Sequence, residues 1–269
     1  ALFMAAGCTL VGVAALWGAD HDLLNSAGQI SFFGIGYCLV GTLLILPPLL
    51  KRRFENPPPD AEGIAWRYRN MAPYPGLFAR YMQQGDPLLS ELATLVPKKT
   101  NMANILDVGC GYGVSACWMA EHYPSATIHG IDPQPERVRV AALALGDRGR
   151  IVRGSAPDLP TMDVLLNLAT MLDLSHFLQD WELEKTLERI HERLLPGGRL
   201  IMRSLLPPST SPLLARQLTH LALRASGRQA CYRSQTAISA TLDKCGFEIL
   251  TCLTSGNRTD LIWHVARPR

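Results

Sequence analysis

The stretch ILDVGCGYGVSA, residues 105–116, places Asp107 two residues ahead of Gly109, Gly111 and Gly113 at the end of an apolar run. Glycines at this spacing let the backbone turn sharply and let a ligand approach where a side chain would block it. The carboxylate limits which ligand that can be. A dinucleotide pyrophosphate requires a turn without nearby negative charge, and it is held by a third glycine in GxGxxG spacing, which this string lacks. Asp107 therefore argues against a phosphate group and for a guest carrying an ammonium group and a ribose. Downstream, IHGIDPQPERV ends an apolar run at Asp132, 21 residues past Gly111, where a carboxylate can accept from both ribose hydroxyls. An acid there marks a ribose without choosing the cofactor, and each aspartate taken singly could merely cap a turn or helix.

Proton-transfer candidates come from TMLDLSHF, where Asp173 and His176 follow an apolar run; either could take a proton from an acceptor hydroxyl, or serve as a loop carboxylate and a capping histidine. Metal chemistry has no support: the seven cysteines are scattered without metal-ligand spacing. Their odd number argues against a disulfide framework. No HExxH, GxSxG or GxxxxGK[ST] string occurs. The formal net charge of +3 gives no electrostatic case for nucleic acid.

The elements that must position these residues alternate. Strands are expected at 105–108, 127–131, 151–153, 164–168 and 199–203, with helices at 114–122, 136–145 and 181–195 between them. A helix at 235–244 and strands at 247–253 and 261–266 close the chain as an antiparallel hairpin on the sheet edge. The fold class that follows is α/β: a doubly wound, mostly parallel seven-stranded sheet, Rossmann-like, covered on both faces. Ahead of it, Asp86-Pro87 opens a helix whose Leu88, Leu89, Leu92 and Leu95 form one apolar stripe. The preceding run alternates Trp66, Tyr68, Tyr74, Phe78 and Tyr81 with Arg67, Arg69 and Arg80, which suits residues that lie against anionic headgroups or roof a substrate pocket, a helical lid packed on the next domain, or both.

The amino-terminal part differs. Residues 1–18 and 28–50 carry no charge, and each approaches the roughly 20 residues that a bilayer-crossing helix needs. Two transmembrane helices are expected over 1–53. Lys51, Arg52 and Arg53 follow the second, which places the remainder on the cytoplasmic side of the inner membrane. The chain opens inside an apolar stretch without an initiator methionine, as expected for the tail of a longer membrane protein. FENPPPDAEG, residues 54–63, reads as a proline-rich linker before a domain spanning 64–269.

Two resemblances join these readings. ADHDLLNSAGQ followed by GIGYCLVGTLLILPPLL and a basic stop resembles the last two helices of exporters of the resistance-nodulation-division or MMPL class, over the first fifth of the chain. ILDVGCGYG, HGIDPQPERV, LLPGGRLIM and LDKCGFEIL resemble the class I S-adenosylmethionine-dependent methyltransferases, over about three quarters of it. That second resemblance implies S-adenosylmethionine as cofactor, with Asp107, Gly109, Cys110, Gly111 and Gly113 around its methionine end and Asp132 on its ribose. Family members often carry an acid near the adenine after the third strand; here Ser155 and Ala156 stand there, with Asp158 nearby. Asn167 and Leu168, read as ending the fourth strand, would face the reacting methyl group. The combined expectation is a membrane-tethered enzyme that methylates a small hydrophobic or lipid-like acceptor beside the upstream helices of a transporter, with no metal and no nucleic acid. The alternatives are a cofactor-sensing regulatory domain and a degenerate structural one.

Overall fold

The computed structural model describes residues 9, 11, 13–16, 22–45, 63–98, 102–160, 162–207, 230–256 and 258–269. The chain divides into two compact units, Ala1–Gly63 and Ile64–Arg269.

In the first unit, helix α1 (Asp22–Val40) runs into a π-helical turn at Gly41–Ile45. The expected span at 28–50 therefore needs correction: its helix starts six residues earlier, in the polar DLLNSAG stretch, and residues 46–50 lie outside the described residues. Of the expected span at 1–18, only residues 9, 11 and 13–16 are described, all helical. Among the described residues no helix is long and apolar enough to cross a membrane. Asp22, Asn25, Ser26 and Gln29 share α1, and Asn25 Oδ1 accepts from the Gln29 side-chain amide at 2.8 Å. The proline-rich linker, apart from Gly63, also lies outside the described residues.

The second unit begins with three short helices, α2 (Gly63–Arg67), α3 (Pro73–Gln84) and α4 (Leu88–Leu95). Asp86 Oδ1 accepts from the Leu88 N–H at 2.8 Å and so fixes the start of α4, while Leu88, Leu89, Leu92 and Leu95 are all buried, as their spacing requires. The alternating part follows: β1 (Asn104–Val108), α5 (Val114–His122), β2 (Thr127–Asp132), α6 (Pro135–Leu145), β3 (Gly149–Arg153), β4 (Leu166–Leu172), α7 (Asp180–His191), β5 (Leu194–Leu205), α8 (Gln235–Lys244), β6 (Phe247–Ser255) and β7 (Arg258–Pro268). Their order in the sheet is β3-β2-β1-β4-β5-β7-β6. Strands β1 to β5 pair in parallel, and β7 is antiparallel to both β5 and β6.

Two cores cover the faces. Ile105, Ile128 and Leu168 pack with the apolar residues of α4, α5 and α6, while Leu106, Ile131, Ala169 and Met202 pack with those of α7 and α8. Alternate strand residues serve opposite faces, so both faces of a central strand must be apolar. Local chemistry starts the helices. Gln179 and Glu182 form a reciprocal cap on α7, and Ser234 Oγ accepts from Ala237 N at 3.2 Å on α8.

The fourth strand departs from the expected 164–168. It runs from Leu166 to Leu172, because Asn167 is not its end: Asn167 Oδ1 accepts from the backbone N–H groups of Ala103 and Asn104, at 2.9 and 3.1 Å, and ties β4 to the start of β1. The glycines of LLPGGRLIM fall inside β5, whose Leu194 pairs with Leu166 ahead of a bulge.

Candidate cofactor and acceptor site

Sheet order reverses between β1 and β4, and a crevice opens beyond the carboxyl ends of strands at such a point. The turn after β1 sits at its centre. Gly109, Gly111 and Gly113 all have positive φ, at 76°, 55° and 80°. A Cβ at Gly113 would lie 2.8 Å from the Ala141 Cβ, so this glycine lets α5 and α6 pack closely. A Cβ at Gly111 would meet nothing within 4 Å, so the backbone here faces open space. The Gly109 and Cys110 N–H groups both donate to Ile131 O at 2.9 Å, fastening the turn to β2.

Asp132 closes one side of this space. Its Oδ1 accepts from Gln134 N at 2.9 Å and its Oδ2 from Gly111 N at 3.2 Å, while Arg137 approaches Oδ2 at 3.7 Å. A carboxylate offers about four lone-pair sites, so hydroxyl donors can still be received. Asp107 is placed differently. It is fully enclosed, with Oδ1 accepting from Thr170 Oγ1 and Oδ2 from Ser115 Oγ, each at 2.7 Å. Burial raises its pKa, the two hydroxyls offset part of that, and the charge of Asp132 adds to it. Asp107 thus braces the turn from behind by joining β1, β4 and α5. Cys110 is buried beside it, with its thiol pKa pushed well up by burial and then by the two aspartates.

After β3, Ser155 Oγ donates to Ala156 O at 3.1 Å and Ala156 is buried. Asp158 is drawn outward to Arg189 and Lys185, at 3.3 and 3.8 Å. Asn167 and Leu168 are corrected here: they occupy the opposite end of β4, and its carboxyl end carries Thr170, Met171, Leu172 and then Asp173. Among the described residues Asp173 is the one non-glycine with positive φ, 53°. That turn sets the Leu174 side chain against Gly109, 3.1 Å from where a Cβ would stand. The Asp173 carboxylate accepts from Arg203 Nε at 2.9 Å and from its Nη2. Arg203 is buried on β5 and reaches Asp86 with its remaining fork. Burial opposes the charge of Arg203, but the two carboxylates outweigh it and raise its pKa above the ordinary value. His176 is buried with its pKa lowered to about 4, by burial first, then by Arg233 against the opposing pull of Asp173. Its Nδ1 has no hydrogen-bond partner among the described residues.

A strap formed by residues 64–95 crosses this edge. Arg67 bonds Glu121 on α5 and Ala144 O on α6, both at 3.0 Å, and the Tyr68 hydroxyl donates to Tyr112 O at 2.8 Å within the glycine turn. Tyr74 and Phe78 on α3 pack on the Tyr112 ring at 5.8 and 5.7 Å. Glu91 Oε2 accepts from Trp263 Nε1 at 2.6 Å and Ser255 Oγ at 2.5 Å. Thr170, Arg203, Asp86 and Ser115 were not singled out as site residues in the sequence, whereas Tyr68 was, in the aromatic run. The one usable signal was Ser115, at the start of the helix after the turn. A cleft of about 290 Å³ lies elsewhere, between His129, Ile131 and Val152 on the sheet and Pro160 to Val164. It runs along β2 and β3 from His129 and Arg150 to Ile131 and Val152.

Residues 105–198 match the methyltransferase domain family. An uncharacterized protein of Synechococcus is 27% identical over 210 residues, covering 76% of this chain and 43% of that protein. The trans-aconitate 2-methyltransferase of Deinococcus radiodurans is 28% identical over 114 residues, covering 42% of each. The chain thus spans less than half the length of these curated relatives. Among solved structures, the mitomycin 7-O-methyltransferase MmcR aligns with a TM-score of 0.57 at 20% identity, over 76% of this chain and 60% of that one. A Mesorhizobium loti S-adenosylmethionine-dependent methyltransferase aligns at 0.55 with 19% identity, over 66% and 96%. Such identities establish the fold. The matched domain family and the shared fold make this chain similar to S-adenosylmethionine-dependent methyltransferases. The S-adenosylmethionine of such enzymes fits the residues present: open backbone at Gly111 and an acid with free lone pairs at Asp132. The matches lend no support to the exporter resemblance of the first fifth of the chain.

Proposed function

We propose that this protein transfers a methyl group from S-adenosylmethionine to a small hydrophobic or lipid-like acceptor held between α3 and the loop after β4. The carrying observation is the pairing of the open Gly111 backbone with Asp132 at the β1/β4 switch point. Asp132 would receive the ribose hydroxyls, and the turn at Gly109 to Gly113 the methionine end. The sulfonium supplies an already activated methyl group, so the chain's task is alignment and exclusion of water. The apolar character of the acceptor is supported by Tyr74, Leu77 and Tyr81, which are more than half exposed along one face of α3 beside Tyr112. Calorimetric titration of S-adenosylhomocysteine, followed by transfer of labelled methyl to a hydrophobic extract, tests this. A folded protein that binds nothing rejects it.

A second reading, cofactor binding without turnover, is favoured by one observation. Among the described residues Ser155 after β3 is spent on Ala156 O, and Asp158 faces outward to Arg189. Saturable binding with no transfer to any acceptor would select it.

The uncharged runs at 1–18 and 28–50 and the basic residues after them support a location at the inner membrane, with the methyltransferase domain on the cytoplasmic side. Neighbouring transporter helices as partners rest on sequence pattern alone. Flotation of the full chain with liposomes tests the location, and recovery wholly outside the lipid fraction removes it.

A further inference from the structure

The hydrogen-bonding and charge demand around the end of β4 is one-sided. Among the described residues, four carboxylates, Asp86, Glu91, Asp173 and Asp260, meet two guanidinium groups, Arg203 and Arg258. Glu91 is satisfied by the neutral donors Trp263 and Ser255. Arg203 divides one positive charge between Asp86 and Asp173, so that trio keeps a net negative charge. Asp86 is buried, whereas the Asp173 side chain is 37% exposed, and the surplus charge therefore meets the crevice at Asp173. Three residues on, the buried His176 ring has an unpartnered nitrogen among the described residues. Asp132 claims the β2 side of the crevice for the ribose, which leaves the β4 side for the reacting end.

We propose that the methyl acceptor presents a protonated amine to Asp173, whose carboxylate Arg203 and Asp86 hold at the end of β4. This rests on the methyltransferase reading and narrows it to amines with an apolar body. Arg203 and Asp86 are positioning residues. The guanidinium fork fixes the carboxylate plane, and the second carboxylate prevents Arg203 from cancelling the charge of the first. Before transfer the acceptor nitrogen loses one proton, through Asp173 to water. Its lone pair then forms the N–C bond while the S–C pair stays on sulfur. An ammonium and a sulfonium thereby become a methylammonium, a thioether and one released proton.

Sinefungin tests this without knowledge of the acceptor, because it carries an ammonium group where the cofactor carries its transferable methyl. Calorimetry on the full chain should show sinefungin binding roughly tenfold tighter than S-adenosylhomocysteine, the size of one charge-assisted hydrogen bond. Asp173→Asn, which tolerates the left-handed backbone, should abolish that preference while leaving S-adenosylhomocysteine affinity within about twofold. Asp86→Asn should reduce it about threefold by letting Arg203 neutralise Asp173, and this variant carries the test if Asp173→Asn does not fold. Equal binding of both ligands by the unaltered protein, or an equal loss of both in Asp173→Asn, overturns the proposal while the cofactor site stands. An unchanged preference in Asp86→Asn overturns the positioning role. Binding of neither ligand by folded protein overturns the cofactor reading and this proposal with it.

Discussion

The backbone N–H of Gly111 donates to Asp132 Oδ2 at 3.2 Å, so the open point of the glycine turn and the carboxylate at the end of β2 already hold one another. On the proposed function, a ribose entering beside Asp132 would meet an acceptor whose direction is fixed in advance, and preorganisation of this kind lowers the cost of binding.

Asp132→Asn should therefore weaken S-adenosylhomocysteine binding by about tenfold or more, since the amide loses one acceptor and the charge. Its single remaining oxygen can receive only one of the Gly111 and Gln134 N–H groups, so the variant should also lose about 1–3 kcal/mol of stability. Calorimetry and thermal unfolding on the same preparation separate the two effects.

Gly111 and Gly113 should respond oppositely to alanine. At Gly113 the added Cβ stands 2.8 Å from the Ala141 Cβ and 3.1 Å from its Cα, so Gly113→Ala should cost about 2–4 kcal/mol of stability through the α5–α6 contact. At Gly111 nothing opposes the Cβ, and the cost is about 1 kcal/mol of left-handed strain. The Gly111→Ala side chain instead fills the ligand's space and should lower cofactor affinity several-fold. Equal affinity losses in the two variants would count against this division.

Thr170→Val keeps the shape of a buried residue but removes one of the two hydroxyls on the Asp107 carboxylate. The expected loss is about 1–3 kcal/mol at neutral pH. Because the folded pKa of Asp107 is already raised, the loss should shrink in acid, where the protonated acid no longer demands the bond. Denaturant melts of both proteins across pH measure this directly.

His176 and His264 are both lowered from 6.5 to about 4, His176 by burial and Arg233, His264 by burial. In each case the unfolded chain binds more protons between those values, so stability is fully present above pH 6.5 and falls as the pH drops toward 4. Each ring should account for about 1–3 kcal/mol of that fall. His264→Gln should flatten the urea-midpoint profile in this window, and an unaltered slope would contradict the assignment.

Much of the scaffold was legible because it is local. Alternating apolar runs fix strands and helices through side-chain period, the stripe on α4 follows from i, i+3 and i+4 spacing, and glycines before a helix announce a turn that only glycine takes without strain. The acid at the end of β2 belongs to the same class. Asn167 defeated this reading because a polar residue in an apolar run signals a strand end by composition, whereas here it caps the neighbouring strand's backbone, a contact 64 residues away along the chain. The amino-terminal helix boundary moved for a related reason: hydropathy marks where charge is absent, and a helix can begin earlier on polar residues. Tertiary structure alone decided that Asp107 braces the turn from behind, that Asp158 faces outward, and that Arg203 joins Asp86 to Asp173 across 117 and 30 residues. Local sequence sets backbone conformation, while a carboxylate's role depends on which donors the fold brings within about 3 Å of it.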